Sequence, residues 1–477
     1  MSQPAGSAHY DRVGEARVTL RASVAERSSW ALYDFANTIF SMNIATLYFG
    51  VWLVNDLGAS STVFAVASAI ASVMVVVSIP VLGAISDARR RRKWWVVGFT
   101  LASCAACAAI GLVGYTTIPH VGQELIGAVN VPVGWHAGAR DLGWVLLAFI
   151  VASYAYQSAQ PFYNAMLPEL VPSNEQGRMS GIGVAVGYVG SIVGVILVVP
   201  FFNGSLPVVG ALGAGVLGWL REIPYTSLAG RMSTFVPTGL LFAAFSLPFL
   251  LFCRDHDPVR GHTKVDWRGA FQEVFHTLRD ARNHPGALRF IVTTLIYQDA
   301  VGTIVGFMAL YAVRAVGFDK GSETTLFIVL TVPAVFGSYF YGWLADKLGP
   351  KRALSATLLV WVALLIAMMA VPGKASFWAV GFALGLNFGG VNAIERPMML
   401  SLVPDVSAGR YFSLMLLSAR AAAIAGPLIW SLTVDGLEGS LGTQVAYRTA
   451  VATVAAMFAI AWWVLRGVPD RRPGTAV

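Results

Sequence analysis

The residues from Trp30 to Phe49 form a mostly apolar run of membrane-spanning length that contains one carboxylate, Asp34. At helical spacing Asp34, Asn37, Thr38 and Ser41 fall on one face of this run. A carboxylate that faces lipid is costly, so the polar face is expected to meet other helices or a water-filled path. A seam of hydrogen bonds between two helices would explain an isolated stripe of this kind equally well.

The same polar spacing recurs far along the chain. Asp299, Gly302, Thr303 and Gly306 repeat it, and both stretches contain the pattern D-x-x-x-T-I. This recurrence favours a duplicated polar helix over an isolated seam.

Composition places the chain among membrane proteins. Of its 477 residues, 56% are hydrophobic and 12% are charged, whereas soluble globular proteins carry about 25% charged residues. Apolar runs of about 20 residues recur along the length, as in a multi-pass α-helical membrane protein. The net charge of +8 gathers in short loops between these runs, which argues against a nucleic-acid partner.

Twelve membrane-spanning helices are predicted, in two sets of six. The predicted helices cover 28–53, 62–86, 94–115, 142–165, 179–203, 234–252, 287–312, 323–345, 353–371, 376–400, 411–431 and 445–466. The expected domains are a tail (1–27), a six-helix bundle (28–253), a connector (254–285), a second bundle (286–466) and a second tail (467–477). The connector is expected to be an interfacial amphipathic helix or a solvated linker.

Arginine and lysine predict the orientation of the chain. Both tails, the connector and the basic loops near 89–93 and 347–352 lie on one side of the membrane if each run crosses once. The positive-inside rule makes that side cytoplasmic. We expect the plasma membrane of a bacterium, with both termini in the cytoplasm.

Two further landmarks recur in the same order in each half. The first is G-x-x-x-D followed by basic residues, and the second is L-V-P-x-x-x-x-G-R, which ends at Arg178 and at Arg410. The G-x-x-x-D elbows are expected to be latches that open and close, because glycine permits close helix approach and an aspartate can accept from backbone N–H groups. A simple basic topology anchor is the alternative. The elbow residues are Gly83, Asp87 and Arg90 in the first half and Gly342, Asp346 and Lys351 in the second.

These halves and elbows resemble the major facilitator superfamily. The motifs W-A-L-Y-D-F-A-N (30–37) and F-Y-N-A-M-L-P-E (162–169), the Tyr297-Gln298-Asp299 stretch and the Gly426-Pro427 pair resemble its vacuole-effluxer-like branch. The resemblance implies a cavity lined by helices 1, 4, 7 and 10, and a eukaryotic relative associated with amino-acid efflux from the vacuole. Helix 10 departs from the branch, which is expected to carry Gln and Ser where this chain has Asn392 and Glu395.

The polar residues of these helices are the candidates for binding substrate or protons. They are Asp34, Asn37, Thr38, Gln157, Gln160, Asn164, Asp299, Thr303, Asn392, Glu395, Arg396 and Arg420. All seven histidines lie outside the predicted spans, so a proton relay would use carboxylates. Asp34 is either a cytoplasmic gate residue or a binding residue, and Arg420 either locks a helix by an ion pair or contacts substrate.

The predicted function is proton-coupled secondary transport of a small polar solute, such as an amino acid, by a monomer in the lipid bilayer. The chain has no phosphate-binding G-x-x-x-x-G-K-[ST] loop and is not expected to be an enzyme. No cofactor and no metal site are predicted. A passive channel, or a translocator of lipids or hydrophobic compounds, is the alternative.

Overall fold

The computed structural model describes most of the chain and shows it to be helical. The described residues are 22–57, 59, 61–89, 91–117, 139–203, 230–256, 285–318, 323–403, 408–409, 411–415 and 425–470. Within them are twelve helices of 17 residues or more and no strand. Eight of these helices are long and apolar enough to cross a membrane.

The first half of the chain contributes helices α1 to α6. The helix α1 begins at the α-helix Val24–Phe40 and continues through π-helical turns over Ser41–Tyr48 and Trp52–Asp56. The others are α2 (Ser61–Arg89), α3 (Arg92–Thr117), α4 (Ala139–Ala165), α5 (Gln176–Asn203) and α6 (Phe235–Phe252).

The second half contributes helices α7 to α12. They are α7 (Pro285–Tyr311), α8 (Glu323–Leu348), α9 (Pro350–Met369), α10 (Lys374–Leu400), α11 (Ala425–Leu441) and α12 (Thr443–Arg466). The predicted connector falls almost entirely outside the described residues, so the division into domains stays a prediction.

Helix α1 begins four residues before the prediction because of a capping box. The Ser23 hydroxyl accepts from the backbone N–H of Glu26, and the Glu26 carboxylate accepts from the backbone N–H of Ser23. This reciprocal cap satisfies two backbone donors that the first helical turn leaves open. The S-x-x-E spacing was present in the sequence and was missed.

The predicted end of α11 was wrong by ten residues. The prediction ended this helix at 431, and Asp435, Gly436, Glu438 and Gly439 interrupt the apolar pattern beyond that point. The backbone stays helical to Leu441, with Asp435 exposed and Glu438 half-buried. Polar residues do not stop a helix whose backbone hydrogen bonds continue, and the interruption marks where the helix leaves its apolar surroundings.

The positively charged helix ends meet at one end of the bundle, which we call the basic end. There Arg92 at the start of α3 binds Glu169 at 2.6 Å, and Arg352 at the start of α9 binds Asp470 at 2.8 Å. At the opposite end Arg231 binds Asp56 at 2.6 Å. The basic end is also where α5 of the first half packs against α8 and α10 of the second.

Candidate functional site

An ion pair joins the two halves of the chain near the basic end. The Arg396 guanidinium, on α10, donates two hydrogen bonds to the Asp34 carboxylate on α1, with Nη1–Oδ2 at 2.9 Å and Nη2–Oδ1 at 3.2 Å. The side chains of Arg396 and Asp34 are 12% and 7% exposed. A buried, two-point pair of this kind stabilises the arrangement in which α1 and α10 lie together.

Two aromatic side chains of the first half hold the guanidinium. Trp30 and Tyr163 stack with their ring centroids 4.6 Å apart, and the Arg396 guanidinium lies 5.4 Å from each ring centroid. The Tyr163 hydroxyl donates to the Trp30 carbonyl at 2.9 Å, and the Trp30 indole N–H donates to the Tyr163 carbonyl at 3.2 Å. These rings add a cation–π contact to the ion pair.

Sequence reasoning did not assign Trp30 and Tyr163 to the site. Both lie in the two motifs that carried the family resemblance, W-A-L-Y-D-F-A-N and F-Y-N-A-M-L-P-E. Their place in those motifs was the available signal. Without such motifs, aromatic residues in an apolar helix are interpreted as part of the hydrophobic core.

Two more contacts of α10 lie close to the ion pair. Glu395 accepts a hydrogen bond from the Gln298 side chain of α7, with Oε2–Nε2 at 2.6 Å. One turn earlier, the Asn392 amide donates to the Tyr188 hydroxyl of α5 at 2.9 Å. The first contact stays within the second half, whereas the second contact joins the halves.

The second elbow meets the start of α5 across the two halves. The Asp346 carboxylate accepts from the backbone N–H groups of Gly177 and Arg178, both at 2.7 Å. Gly342 allows this contact, because a Cβ added there would overlap the Gly177 carbonyl. A carboxylate at the amino end of a helix is stabilised by the open N–H groups and by the helix dipole.

The other elbow residues are placed differently. Lys351 donates to the Arg466 carbonyl at 3.2 Å and therefore binds its own half. Gly83 and Asp87 lie in α2, but the structure does not describe the surroundings of either residue. Arg90 lies outside the described residues.

The amide side chains of α1 and α4 leave carbonyl oxygens without a partner in the described residues. They are the side-chain oxygens of Asn37, Gln157 and Asn164. Gln157 donates its amide N–H to the Ser153 carbonyl, so its side-chain oxygen is the atom that lacks a hydrogen-bond partner among the described residues. Gln160 is half-buried on the same face of α4.

The antiparallel course of α1 and α4 places these amides beside the ion pair. Trp30 contacts Tyr163, and Phe40 contacts Tyr156, at 5.1 Å between ring centroids. Gln160 therefore lies about level with Asp34, and Asn37 and Gln157 lie at similar depth, further from the basic end. Thr38 instead donates to the Gly187 carbonyl of α5 at 2.6 Å and is part of a helix seam.

Asp299 and Thr303 connect α7 to α11. The Asp299 carboxylate accepts from the backbone N–H of Gly426 at 2.7 Å, and the Thr303 hydroxyl donates to the Asp299 carbonyl. Gly426 is required for this contact, since a Cβ there would overlap Thr303 and approach Asp299. Arg420 lies outside the described residues.

The face of α7 beyond this level is open. A Cβ added to Gly302 or Gly306 would meet no atom within 4 Å. Paired groups thus hold the basic end shut, and this exposed face of α7 packs against no other described residue at these two glycines.

Comparison with known proteins identifies the family. The model of the family described as "Vacuole effluxer Atg22 like" matches residues 56–471. The chain is 23% identical over 456 residues to the uncharacterized MFS-type transporter YxiO of Bacillus subtilis (strain 168). The matched residues make up 93% of this chain and 95% of YxiO. It is 26% identical over 314 residues to the multidrug resistance protein MdtG of Serratia proteamaculans (strain 568), covering 65% and 68% of the two chains.

A solved transporter has the same fold. The major facilitator superfamily transporter FucP in its outward conformation superimposes with a TM-score of 0.63 at 15% identity, over 93% of this chain and 98% of FucP. The relatives are transporters and not enzymes, as the sequence predicted. The chain belongs to the vacuole effluxer Atg22-like family and is an integral membrane protein with the fold of major facilitator superfamily transporters.

Proposed function

We propose that this chain is a secondary active transporter that moves a small polar solute, such as an amino acid, by alternating access and with proton coupling. The observation that carries the proposal is the Asp34–Arg396 pair, because it joins the two halves at the closed end of a polar route. The transporter is proposed to work as a monomer in a bacterial plasma membrane, with both termini in the cytoplasm.

The ion pair supports a gate that substrate can release. An arginine guanidinium offers a planar fork that fits a carboxylate, and here Asp34 occupies that fork. A solute carboxylate that enters from the open side would compete with Asp34 for the same donors. Binding of solute would then weaken the link between α1 and α10, which couples recognition to opening of the basic end.

Buried amide oxygens that lack a hydrogen-bond donor favour a polar solute over a hydrophobic one. Asn37, Gln157 and Asn164 have side-chain oxygens that lack donors among the described residues. An ammonium group or another N–H donor would satisfy them. A purely apolar compound would leave each unsatisfied, at about 1–3 kcal/mol per group.

The MdtG relatives favour a second candidate, export of hydrophobic compounds. Purified protein in sealed proteoliposomes would separate the two. The panel would contain labelled zwitterionic, anionic and cationic amino acids, a sugar and a lipophilic cation, each with and without an imposed pH gradient. Empty liposomes and the Arg396→Ala variant serve as controls.

We expect a zwitterionic solute to accumulate above its outside concentration only when the pH gradient is present. Accumulation of the lipophilic cation alone would favour the second candidate. Equilibration of solute without concentration, under every gradient, would indicate a channel and contradict alternating access.

A further inference from the structure

The charges around the gate are divided unequally between the halves. Asp34 belongs to α1, in the first half, whereas Glu395 and Arg396 are neighbours on α10. Glu395 is partly buried, and the donor that it binds is the neutral amide of Gln298. In the closed state Asp34 therefore neutralises Arg396, and no other cation of the described residues pairs with Glu395.

Opening the basic end changes this balance. If the halves separate there, Asp34 leaves with α1, while Glu395 and Arg396 stay together on α10. The positive charge that Asp34 had neutralised then acts on Glu395 alone. A neighbouring positive charge favours the ionised form of a carboxylate, and access of water favours it further.

We propose that Glu395 is the carboxylate that carries the coupled proton, holding it while the Asp34–Arg396 gate is closed and releasing it when the gate opens. This inference rests on the proposed alternating access. It selects Glu395 from the three carboxylates, Asp34, Asp299 and Glu395, that the sequence put forward for binding substrate or protons. It also gives a function to Glu395, one of the two positions at which the chain is expected to differ from its branch of the superfamily.

The surroundings of Glu395 fit this role. Among the described residues, the charged and titratable groups that act on it are Arg396 from α10 and Tyr297 from α7. Tyr297 is fully buried, and its hydroxyl accepts a hydrogen bond from Thr294. Arg396 is thus the group through which movement of α1 reaches Glu395.

Asp34 and Asp299 fit the role less well. Asp34 receives both arms of the Arg396 fork, and protonating it would remove the gate's own partner. Asp299 accepts from the Gly426 backbone, which lies in the same half, so separation of the halves leaves that contact in place.

The proposal predicts the sign of a pH effect. A group that binds its proton more tightly in the closed state stabilises that state at low pH, and this contribution is lost as the pH rises. The proportion of molecules closed at the basic end should therefore increase as the pH falls. Since couplings of this kind are typically 5- to 150-fold, we expect at least about a tenfold change in the ratio of closed to open molecules between low and high pH.

The test needs no identified solute. Spin labels at Asn174→Cys and Leu348→Cys place one reporter on each half at the basic end, at exposed positions. The native thiols Cys104, Cys107 and Cys253 are buried. Electron–electron distance measurements on the full chain in proteoliposomes, over a series of pH values, would give the closed fraction.

We expect Glu395→Gln, which mimics the protonated side chain, to remain closed at every pH. Asp299→Asn, the matched control in the same half, should keep the pH dependence of the unsubstituted chain. Persistence of the full pH dependence in Glu395→Gln, or its absence from the unsubstituted chain, would overturn the proposal. Loss of the pH dependence in Asp299→Asn alone would overturn it too, while leaving proton-coupled transport intact through another carboxylate.

A second variant keeps the proposal testable if Glu395→Gln fails to fold. Glu395→Asp keeps a carboxylate but shortens its reach to Gln298. It should keep the pH dependence with a shifted midpoint, and an unchanged midpoint would contradict the assignment.

Discussion

At the scale of single residues, we propose a gate role for Asp34. The sequence left open whether this carboxylate lines the binding site or closes the route. Its two hydrogen bonds to Arg396 span the halves, and Arg396 lies four residues before the end of α10 at Leu400. Four residues correspond to about 6 Å of helix, which places the pair close to the basic end.

The first prediction concerns the shape of the cation. Arg396→Lys keeps the charge, but an ammonium cannot bind both carboxylate oxygens in a fork and makes a poorer contact with the Trp30 and Tyr163 rings. We expect the closed fraction at the basic end to fall about tenfold relative to open molecules, since a charged hydrogen bond contributes about 1.5–3 kcal/mol. Spin-label distances across the basic end would measure this change.

A matched substitution controls for a general effect of lysine. Arg352 also binds an aspartate, Asp470, but its side chain is 56% exposed, and exposed pairs contribute about 0–1 kcal/mol. Arg352→Lys should leave the closed fraction unchanged. A normal closed fraction in Arg396→Lys would show that charge alone holds the gate.

At the scale of helices, α5 and α8 cross at a close contact between the halves. Two small-residue pairs face each other, Gly177 and Gly181 on α5 against Ser338 and Gly342 on α8. Their spacing of four residues places each pair on one helix face. Backbones that approach this closely form a contact that is either made or broken, as a switch between two states requires.

The second prediction tests that crossing. A Cβ at Gly177 would lie 2.5 Å from the Gly342 carbonyl oxygen and 2.6 Å from an Asp346 carboxylate oxygen. Neither atom belongs to a freely moving side-chain tip, so Gly177→Ala should force the helices apart. We expect a lower closed fraction and slower transport, with solute affinity changed by no more than a few-fold, because the crossing is remote from the amide groups.

The control for this prediction is another glycine in a helix. A Cβ at Gly98 in α3 would meet nothing within 4 Å, so Gly98→Ala should be neutral or slightly stabilising. Transport rates and thermal unfolding of the two variants would be compared. An equal effect of both substitutions would show that helix propensity, and not the crossing, is responsible.

At the scale of the whole molecule, the orientation in the membrane decides which side of the membrane the closed basic end faces. Most of the described cations gather at one end of the bundle, where Arg92, Arg178, Lys347 and Arg352 lie at helix ends. If this end faces the cytoplasm, as the positive-inside rule predicts, the structure corresponds to a transporter closed to the cell interior.

The third prediction tests this orientation. Ser440, near the end of α11, and Asn174, between α4 and α5, are exposed at opposite ends of the bundle. In intact bacterial cells, a membrane-impermeant thiol reagent should label Ser440→Cys at once and Asn174→Cys only after permeabilisation. The reverse pattern would place the basic end outside and contradict the topology.

The sequence alone determined the class of fold and most of its elements. Apolar runs that a bilayer can accommodate permit only helices, and eleven of the twelve predicted helices ended within a few residues of their observed bounds. The helix α11 was cut short because its last ten residues include charges and glycines. The repeat of D-x-x-x-T-I and of the elbows indicated two halves, since duplicated units keep their landmarks in order.

The pairing of side chains was decided by the tertiary structure. Asp34 and Arg396 are 362 positions apart, and helical periodicity places a residue on a face without naming the residue opposite. The sequence likewise suggested that an elbow aspartate accepts from backbone N–H groups, but the Gly177 and Arg178 partners of Asp346 depend on how the halves meet. Local patterns predict helices because their hydrogen bonds are local, whereas a gate is a contact between helices that only packing brings together.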